Sequence, residues 1–361
     1  MRILFLSSEF PPGPGGIGAH AHNLAHQLIV HNYQVVVYTA ARSDYPSHTF
    51  DGAQQATIIR YSAYSKSVVR LVHLVKHVWK YRKGCDWIIL SGLTNLALFS
   101  IIRILLKSKI LGLVHGHEIV MAKGVTGFLV RRALLRTDHI VAVSEFAKGI
   151  LRDNGIVRPV TTIPNGVNLP EKTSVRRLNP NKLVLITVGS VTKRKGQHNV
   201  IAALPGIVER FGHVEYHVVG IPRQKEEIET LAQKLGVSNQ IFLHGALNDE
   251  QRDALMLQAD IFMMLSENLP DGDVEGFGIA VLEANGFGLP AIGSKDTGVE
   301  QAIDHGRSGY LVDAKDPERI CDAIGDILNH YEKFSTSAIA WAQQHDWRRI
   351  GKMYLDILKE N

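Results

Sequence analysis

The chain has 361 residues, 45% hydrophobic and 21% charged, long enough for about two domains and apolar enough to bury cores without staples. Its two cysteines, Cys85 and Cys321, lie far apart and without metal-ligand spacing, which argues against a disulfide framework or a zinc site and fits a reducing compartment. The net charge of +5 is unevenly spread: residues 1–168 hold 19 Lys and Arg against 8 Asp and Glu, the remainder 21 against 27, so the N-terminal half is expected to face something anionic.

Arg2 is followed by only four apolar residues before polar ones and Pro11-Pro12, too few for a signal-peptide core. The most apolar stretch, residues 96–106, is interrupted by Arg103 and falls short of the roughly 20 residues of a spanning helix. The expectation is a cytoplasmic protein, at most peripheral at the inner face of a membrane.

In chain order, residues 3–6 predict a buried strand, 18–32 a helix and 35–38 a second strand; 88–90, 110–114 and 140–143 continue the series. Short apolar strands separated by helical patterns predict a parallel, doubly wound α/β sheet. Ile163-Pro164-Asn165-Gly166-Val167 is turn-rich, and the polar stretch beyond it, with Pro170 and Pro180, reads as a linker. A second series then places strands at 184–188, 216–219, 241–243, 261–265, 290–292 and 310–312, with a last helical stretch from about 335 to 359. The expected division is 1–168, a linker at 169–182, a second domain at 183–335 and a terminal helix at 336–361. Ligands of such sheets bind beyond the carboxyl ends of the strands, and two units facing each other would make a cleft.

The loop after the first strand carries Gly13, Gly15, Gly16 and Gly18. Three of these match G-x-G-x-x-G, a dinucleotide motif. However, Pro11, Pro12 and Pro14 lengthen the loop, and the second strand ends at Thr39-Ala40, where a ribose-binding acid would stand. Glycine amides approaching a phosphate at a helix N-terminus fit better; a plain strand-to-helix connection is the alternative. His115-Gly116-His117-Glu118 also follows a strand. It lacks a third zinc ligand and the H-E-x-x-H pattern, so the choice is between a site histidine and a structural one. Lys193-Arg194-Lys195-Gly196 suits a diphosphate, against the alternative of a solvated basic turn.

The densest pattern runs from Asp273 to Ala284. Gly276 and Gly278 mark a loop holding Glu275, and a helix from Ile279 would carry Glu283 in its second turn. Amides of Phe277, Gly278 and Ile279 can face a phosphate, and two carboxylates can accept hydrogen bonds from sugar hydroxyls. Asp271-Gly272-Asp273 resembles a metal-binding D-x-D but reads as a solvated turn, so no metal is expected. Lys66, Arg70, Lys76, Lys80, Arg82 and Lys83 interleave with apolar residues including Val72, Val75 and Trp79, a basic amphipathic helix suited to an anionic membrane or to an ordinary surface. No nucleic-acid module accompanies this basic face, so nucleic acid is not an expected partner.

Taken together, Gly15-Gly16, His117-Glu118, Pro164-Asn165-Gly166-Val167, Lys195-Gly196, the Glu275/Glu283 E-x7-E pair and Trp347 make nearly the whole chain resemble the retaining glycosyltransferases of family four. His-Gly-His-Glu, Arg-Lys-Gly-Gln and Asp-Val-Glu-Gly resemble the phosphatidylinositol mannosyltransferase-like subgroup. The resemblance implies the GT-B fold: two Rossmann-like domains facing a cleft, with the C-terminal helix crossing back to the first. It implies a nucleotide-sugar donor, GDP-mannose or a UDP-hexose, a glycan or lipid-linked acceptor, and no cofactor or metal. Gly16 would touch the donor diphosphate, His117 the donor sugar, Lys195 the diphosphate, Glu275 the sugar hydroxyls and Glu283 the ribose. Amides of Phe277, Gly278 and Ile279 would reach phosphate or sugar, and the base would sit near Gly220, Gly245 and Leu247. Many relatives carry Arg five residues before the lysine; this chain has Ser190 there, and Arg194 would supply the charge. The rival readings are an NAD-dependent oxidoreductase, a non-catalytic nucleotide-sugar binder and another GT-B chemistry such as a phosphorylase or epimerase.

Overall fold

A computed structural model describes residues 1–360 except 42–44, 46, 63–66, 104, 105, 172–177, 179 and 180. It divides into two compact units, Met1–Gly166 with Trp347–Asn361, and Val167–Asp346.

In the first unit β1 (Arg2–Ser7), β2 (Gln34–Ala41), β3 (Thr57–Ser62), β4 (Trp87–Ser91), β5 (Lys109–Val114), β6 (His139–Ala142) and β7 (Thr161–Thr162) form one parallel sheet of order β3-β2-β1-β4-β5-β6-β7. Side chains alternate between its faces. Leu4 and Leu6 join a core with Leu74, Phe99 and Leu134, from helices Ser67–Tyr81, Leu93–Ile102 and Gly124–Leu134. Ile3 and Phe5 take the other face, where helix Gly16–Val30 packs against helix Trp347–Lys359. The small Gly351 permits that approach, because a Cβ there would lie 2.8 Å from Gln27.

The second unit repeats the plan. Here β8 (Leu183–Val188), β9 (Val214–Val219), β10 (Ile241–Gly245), β11 (Ile261–Met264), β12 (Ala291–Ser294) and β13 (Gly309–Val312) form a parallel sheet of order β10-β9-β8-β11-β12-β13. Leu185, Tyr216, Met263 and Ile292 meet Ile201, Leu204 and Ile324 of flanking helices in its core.

The expected strands are all present, and β3 and β7 are added. Both are edge or near-edge strands, short or only partly buried, so they lack the continuous apolar run that marks the inner ones. The last helical stretch is two helices rather than one. Tyr331–Gln344 belongs to the second unit, burying Phe334, Ala338 and Ala342 beside helix Ile279–Gly286. The chain breaks at His345-Asp346, and only Trp347–Lys359 returns to the first unit, so the terminal segment begins at 347 and not 336. The first unit ends at Gly166, two residues before the expected 168. Most of the expected linker lies outside the described residues; Pro170, at its start, packs on Gly286 in the second unit.

Both chain crossings are tied down locally. In the first unit the Trp347 ring lies on Gly166, where a Cβ would come within 2.5 Å of it. In the second, Val167 N donates to His345 O at 2.8 Å. Cys85 and Cys321 are both buried and unpaired.

Candidate active site

In the second unit the site grows from the loop after β8. Gly189 and Gly220 turn the chain where β8 and β9 end; a Cβ on Gly220 would lie 2.1 Å from Gly189 O. Lys193–Lys195 form one 3-10 turn, closed by Gly196 at φ 72°. Gly196 packs so closely on the end of β11 that a Cβ would lie 1.7 Å from Leu265 O, so only glycine fits. Helix Gln197–Phe211 follows, and the turn aims Arg194 and Lys195 at the loop after β11.

That loop presents Glu275. Its carbonyl accepts the Gly298 amide at 3.0 Å, and the glycine is required because a Cβ would lie 2.2 Å from that oxygen. The Glu275 carboxylate is buried, with Lys195 Nζ at 2.7 Å from Oε2 and the Arg194 guanidinium on the same oxygen. Burial alone would raise its pKa; the Lys195 and Arg194 charges outweigh this and hold it at about 2. The carboxylate is therefore ionised across the physiological range. Gly278, left-handed at φ 86°, caps helix Ile279–Gly286 without a side-chain bond, so the first amides of that helix lack a capping side chain.

Glu283 sits in the second turn of that helix, as expected. Burial pushes its carboxyl up, and the field of Arg252 opposes the shift. Sequence reasoning missed Arg252, which lies on helix Asp249–Met256 and is bridged to Asp249 and Asp253. It also missed the partner of Asp273. The side chain is 44% exposed, but its Oδ1 lies 2.9 Å from Arg194 Nε, an ion pair that links the glutamate loop to the basic turn. Glu267 N adds a bond to Arg194 O at 2.9 Å. Gly220 and Gly245 stand at the carboxyl ends of β9 and β10, joined by Gly220 N donating to Gly245 O at 2.8 Å, and Leu247 follows, half-buried. Among the described residues no group of three or more His, Cys, Asp or Glu is arranged to hold a metal.

In the first unit the loops after β1, β4 and β5 meet. Helix Gly16–Val30 starts at Gly16 with Gly15 as its cap, two residues earlier than expected and without a capping side chain. Ser8 lies against Gly92, Ser91 Oγ is hydrogen bonded to His115 Nε2 at 3.1 Å, and the His115 ring meets His20 edge-on at 5.3 Å. His115 is therefore structural: burial, then His20 and His117, push its pKa well down and keep it neutral. His117 is half-buried, the more accessible member of the pair, with Nδ1 3.3 Å from Glu118 Oε2. Glu118 is fully buried and accepts the His115 amide at 2.7 Å. Its carboxyl is pushed up by burial and drawn back by His117 and three backbone amides.

The Asn165 of the turn-rich motif also has a structural task. His20 Nδ1–H donates to Asn165 Oδ1 at 2.5 Å, while His20 Nε2 pairs with Tyr354 OH at 3.2 Å. Burial holds His20 at about 4, against the raising effect of the Asn165 bond. This neutral imidazole joins the glycine-loop helix, the crossing at 165–166 and the terminal helix.

Two family models cover the chain, Glycosyltransferase Family 4 over residues 14–171 and Glycosyl transferases group 1 over 170–344. The chain is similar to the GDP-mannose-dependent alpha-(1-6)-phosphatidylinositol monomannoside mannosyltransferase of Mycobacterium tuberculosis, 25% identical over 91% of this chain and 89% of that one. It is likewise 25% identical to the phosphatidyl-myo-inositol mannosyltransferase of Mycobacterium leprae, over 99% and 96%. In fold it resembles sucrose-phosphate synthase from Thermosynechococcus elongatus (TM-score 0.82, 18% identity, 99% and 98% covered). It also resembles Anabaena HepE in complex with UDP and glucose (TM-score 0.80, 19% identity, 100% of both chains covered). Nothing in these comparisons supports an oxidoreductase. With its two parallel-sheet units and its basic turn facing an E-x7-E loop, the chain belongs to glycosyltransferase family four, with the GT-B fold.

Proposed function

We propose that the chain transfers a hexose from a nucleotide sugar to a lipid-linked or glycan acceptor, with retention of anomeric configuration and without a metal. The convergence of Arg194 and Lys195 on Glu275 carries this reading. Two fixed cations beside a helix N-terminus would hold a diphosphate and stabilise it as the C1–O bond breaks. An ionised carboxylate beside them would accept the sugar hydroxyls. The same two cations would fill the charge-neutralising role that a metal performs elsewhere. His117, oriented by Glu118, would contact the donor sugar. The acceptor would attack from the face the diphosphate leaves, and the leaving phosphate would take its proton.

GDP-mannose is the favoured donor over a UDP-hexose, on the likeness to GDP-mannose-dependent enzymes. A cytoplasmic enzyme peripheral at the inner face of a membrane fits a lipid-linked acceptor. Helix Ser67–Tyr81 supports this with an exposed stripe of Val69, Val72, Lys76, Trp79 and Lys80; Lys66, part of the expected basic set, lies outside the described residues. No helix among the described residues is long and apolar enough to cross a membrane.

The test is thermal unfolding with GDP, UDP, ADP and NAD, each added alone. A ligand that binds only the folded state at a hundredfold excess over Kd adds about 2.7 kcal/mol. A shift with GDP or UDP alone supports the reading and selects the base, whereas a shift with NAD alone overturns it. Proton NMR of the product formed in the presence of EDTA would then show the donor's anomeric configuration; inversion, or no product until magnesium is added, would refute the finer claims.

A further inference from the structure

Strand β3 lies at the edge of the first sheet, yet the Arg60 side chain on it is only 10% exposed. A surface ion pair adds little stability and gives no reason to bury a guanidinium. The partners of its donors show what it holds. Nε and Nη2 form a fork on Asp51, at 2.8 and 2.7 Å, in helix His48–Gly52. Nη1 donates to Ala40 O at 3.2 Å near the end of β2, and Nη2 donates also to the carbonyl of Pro11 in the glycine loop after β1. One planar group thus ties together three segments that are distant in sequence.

Both of the irregular segments need such a partner. Pro11, Pro12 and Pro14 carry carbonyls but no N–H, so this stretch is rich in acceptors and is fixed by donors from elsewhere. A five-residue helix holds no position on its own. The other side of the joint is aromatic: Phe10 is buried and meets Phe50 and His22 edge-on, at 6.3 and 5.6 Å between ring centres. Phe50 precedes Asp51 and Phe10 precedes Pro11, so the ionic and aromatic contacts join the same two segments. The loop then packs on the helix that opens at Gly16. A Cβ on Gly18 would lie 3.2 Å from Phe10 N, and one on Gly15 would lie 2.2 Å from Glu9 Oε2. The exposed Gly15 and Gly16 therefore take their position from residues 9–11, which Arg60 fixes.

We propose that Arg60 is a positioning residue for sugar transfer, acting through the Pro11 carbonyl and Asp51 to set where the uncapped amides at Gly15 and Gly16 stand against the donor diphosphate. It touches no substrate itself. The inference rests on the transferase reading above, with Gly16 at the diphosphate. Amides aimed at a departing phosphate gain most as charge develops on it, so displacing them slows turnover more than it weakens donor binding.

Kinetics of the full chain test it, following release of GDP from GDP-mannose or of UDP from UDP-glucose, with a mannosylated lipid as acceptor. If the wild type turns over neither donor, the transferase reading falls and this inference with it. R60M/D51L replaces the ion pair by an apolar pair, which keeps the packing but leaves the Pro11 carbonyl unheld. It is expected to melt close to the wild type, with donor KM changed by less than about threefold and kcat lowered by about a hundredfold, the effect of roughly 1 Å of misplacement. R60K keeps the charge without the fork and should lose about tenfold in kcat; it decides the matter should the double variant not fold. Wild-type kcat in either folded variant overturns the inference and leaves the transferase reading standing. A loss of kcat that only tracks the loss of folded protein, read from the unfolding curve at the assay temperature, also overturns it, because Arg60 then serves stability alone.

Discussion

Replacing Glu275 by Gln should separate stability, nucleotide binding and catalysis in one variant. The side chain is only 11% exposed, with Lys195 Nζ at 2.7 Å and the Arg194 guanidinium on the same oxygen, so its electrostatics are little screened. Its pKa stands at about 2 against 4.5 for a free carboxyl. At about 1.4 kcal/mol for each tenfold change in acidity, that difference corresponds to about 3.5 kcal/mol of stability. Because the folded-state pKa is the lower one, this contribution is complete above pH 4.5 and is lost as pH falls toward 2. At neutral pH the wild type has all of it and the Gln variant none. The figure agrees with the roughly 3–5 kcal/mol lost when one partner leaves a buried ion pair. At about 2–4 °C per kcal/mol for a unit of this size, the midpoint of the second unit should drop by roughly 7–14 °C. GDP or UDP should then stabilise the variant more than the wild type, because the ligand's diphosphate supplies the missing negative charge. Transfer should be abolished, since a side-chain amide presents one acceptor oxygen where the carboxylate presents two. Calorimetry with and without nucleotide, alongside sugar transfer, checks all three. A variant that melts with the wild type refutes the electrostatic account, and one that still transfers sugar removes Glu275 from the reaction.

Asp273→Asn should strengthen nucleoside diphosphate binding about fivefold, the worth of one partly exposed ion pair, by freeing Arg194 from an internal competitor. Weaker binding in a titration would show instead that Asp273 positions the guanidinium. His115→Ala and His117→Ala should behave oppositely. The first empties a buried site and breaks the Ser91 bond, costing about 2 kcal/mol or more in thermal unfolding, while the second leaves stability nearly intact and slows transfer. The reverse pattern would exchange the roles given to the two imidazoles. Gly196→Ala should prevent the second unit from folding, because the new methyl would meet Leu265 O at a left-handed backbone position; a soluble variant with wild-type melting would contradict the packing described.

What the sequence made legible follows from where each pattern resides. Inner strands such as residues 88–90 and 261–264 are buried on both faces, so they read as unbroken apolar runs. Edge strand β3 is half exposed and carries Arg60, and no comparable run marks it. The placement of Glu275 in a loop and Glu283 in the following helix was legible because Gly276 and Gly278 interrupt the local pattern. The division of the last helical stretch was not, because apolar spacing continues through His345-Asp346 while the body it packs against changes. Long-range charge partners were equally hidden. Nothing local to Asp273 points to Arg194, 79 positions earlier, and nothing near Arg252 points to Glu283.

Ser190 stands where the family resemblance implies an arginine, and the positive charge of the turn comes from Arg194 and Lys195. Its side chain makes no contribution to the cation pair, and its carbonyl is engaged by Gln197 Nε2 at 3.1 Å. Arg194 and Lys195 are consecutive on a single 3-10 turn, yet both reach the same oxygen of Glu275. On the proposed reading, two cations that already share one carboxylate would give a diphosphate two positive partners without a third basic residue at 190. The cost falls on Arg194, which buries its guanidinium and needs anionic neighbours to do so. Asp273 and Glu275 serve that need. On the proposed reading, a donor diphosphate would compete with these carboxylates, which would couple the strength of donor binding to the stability of the glutamate loop.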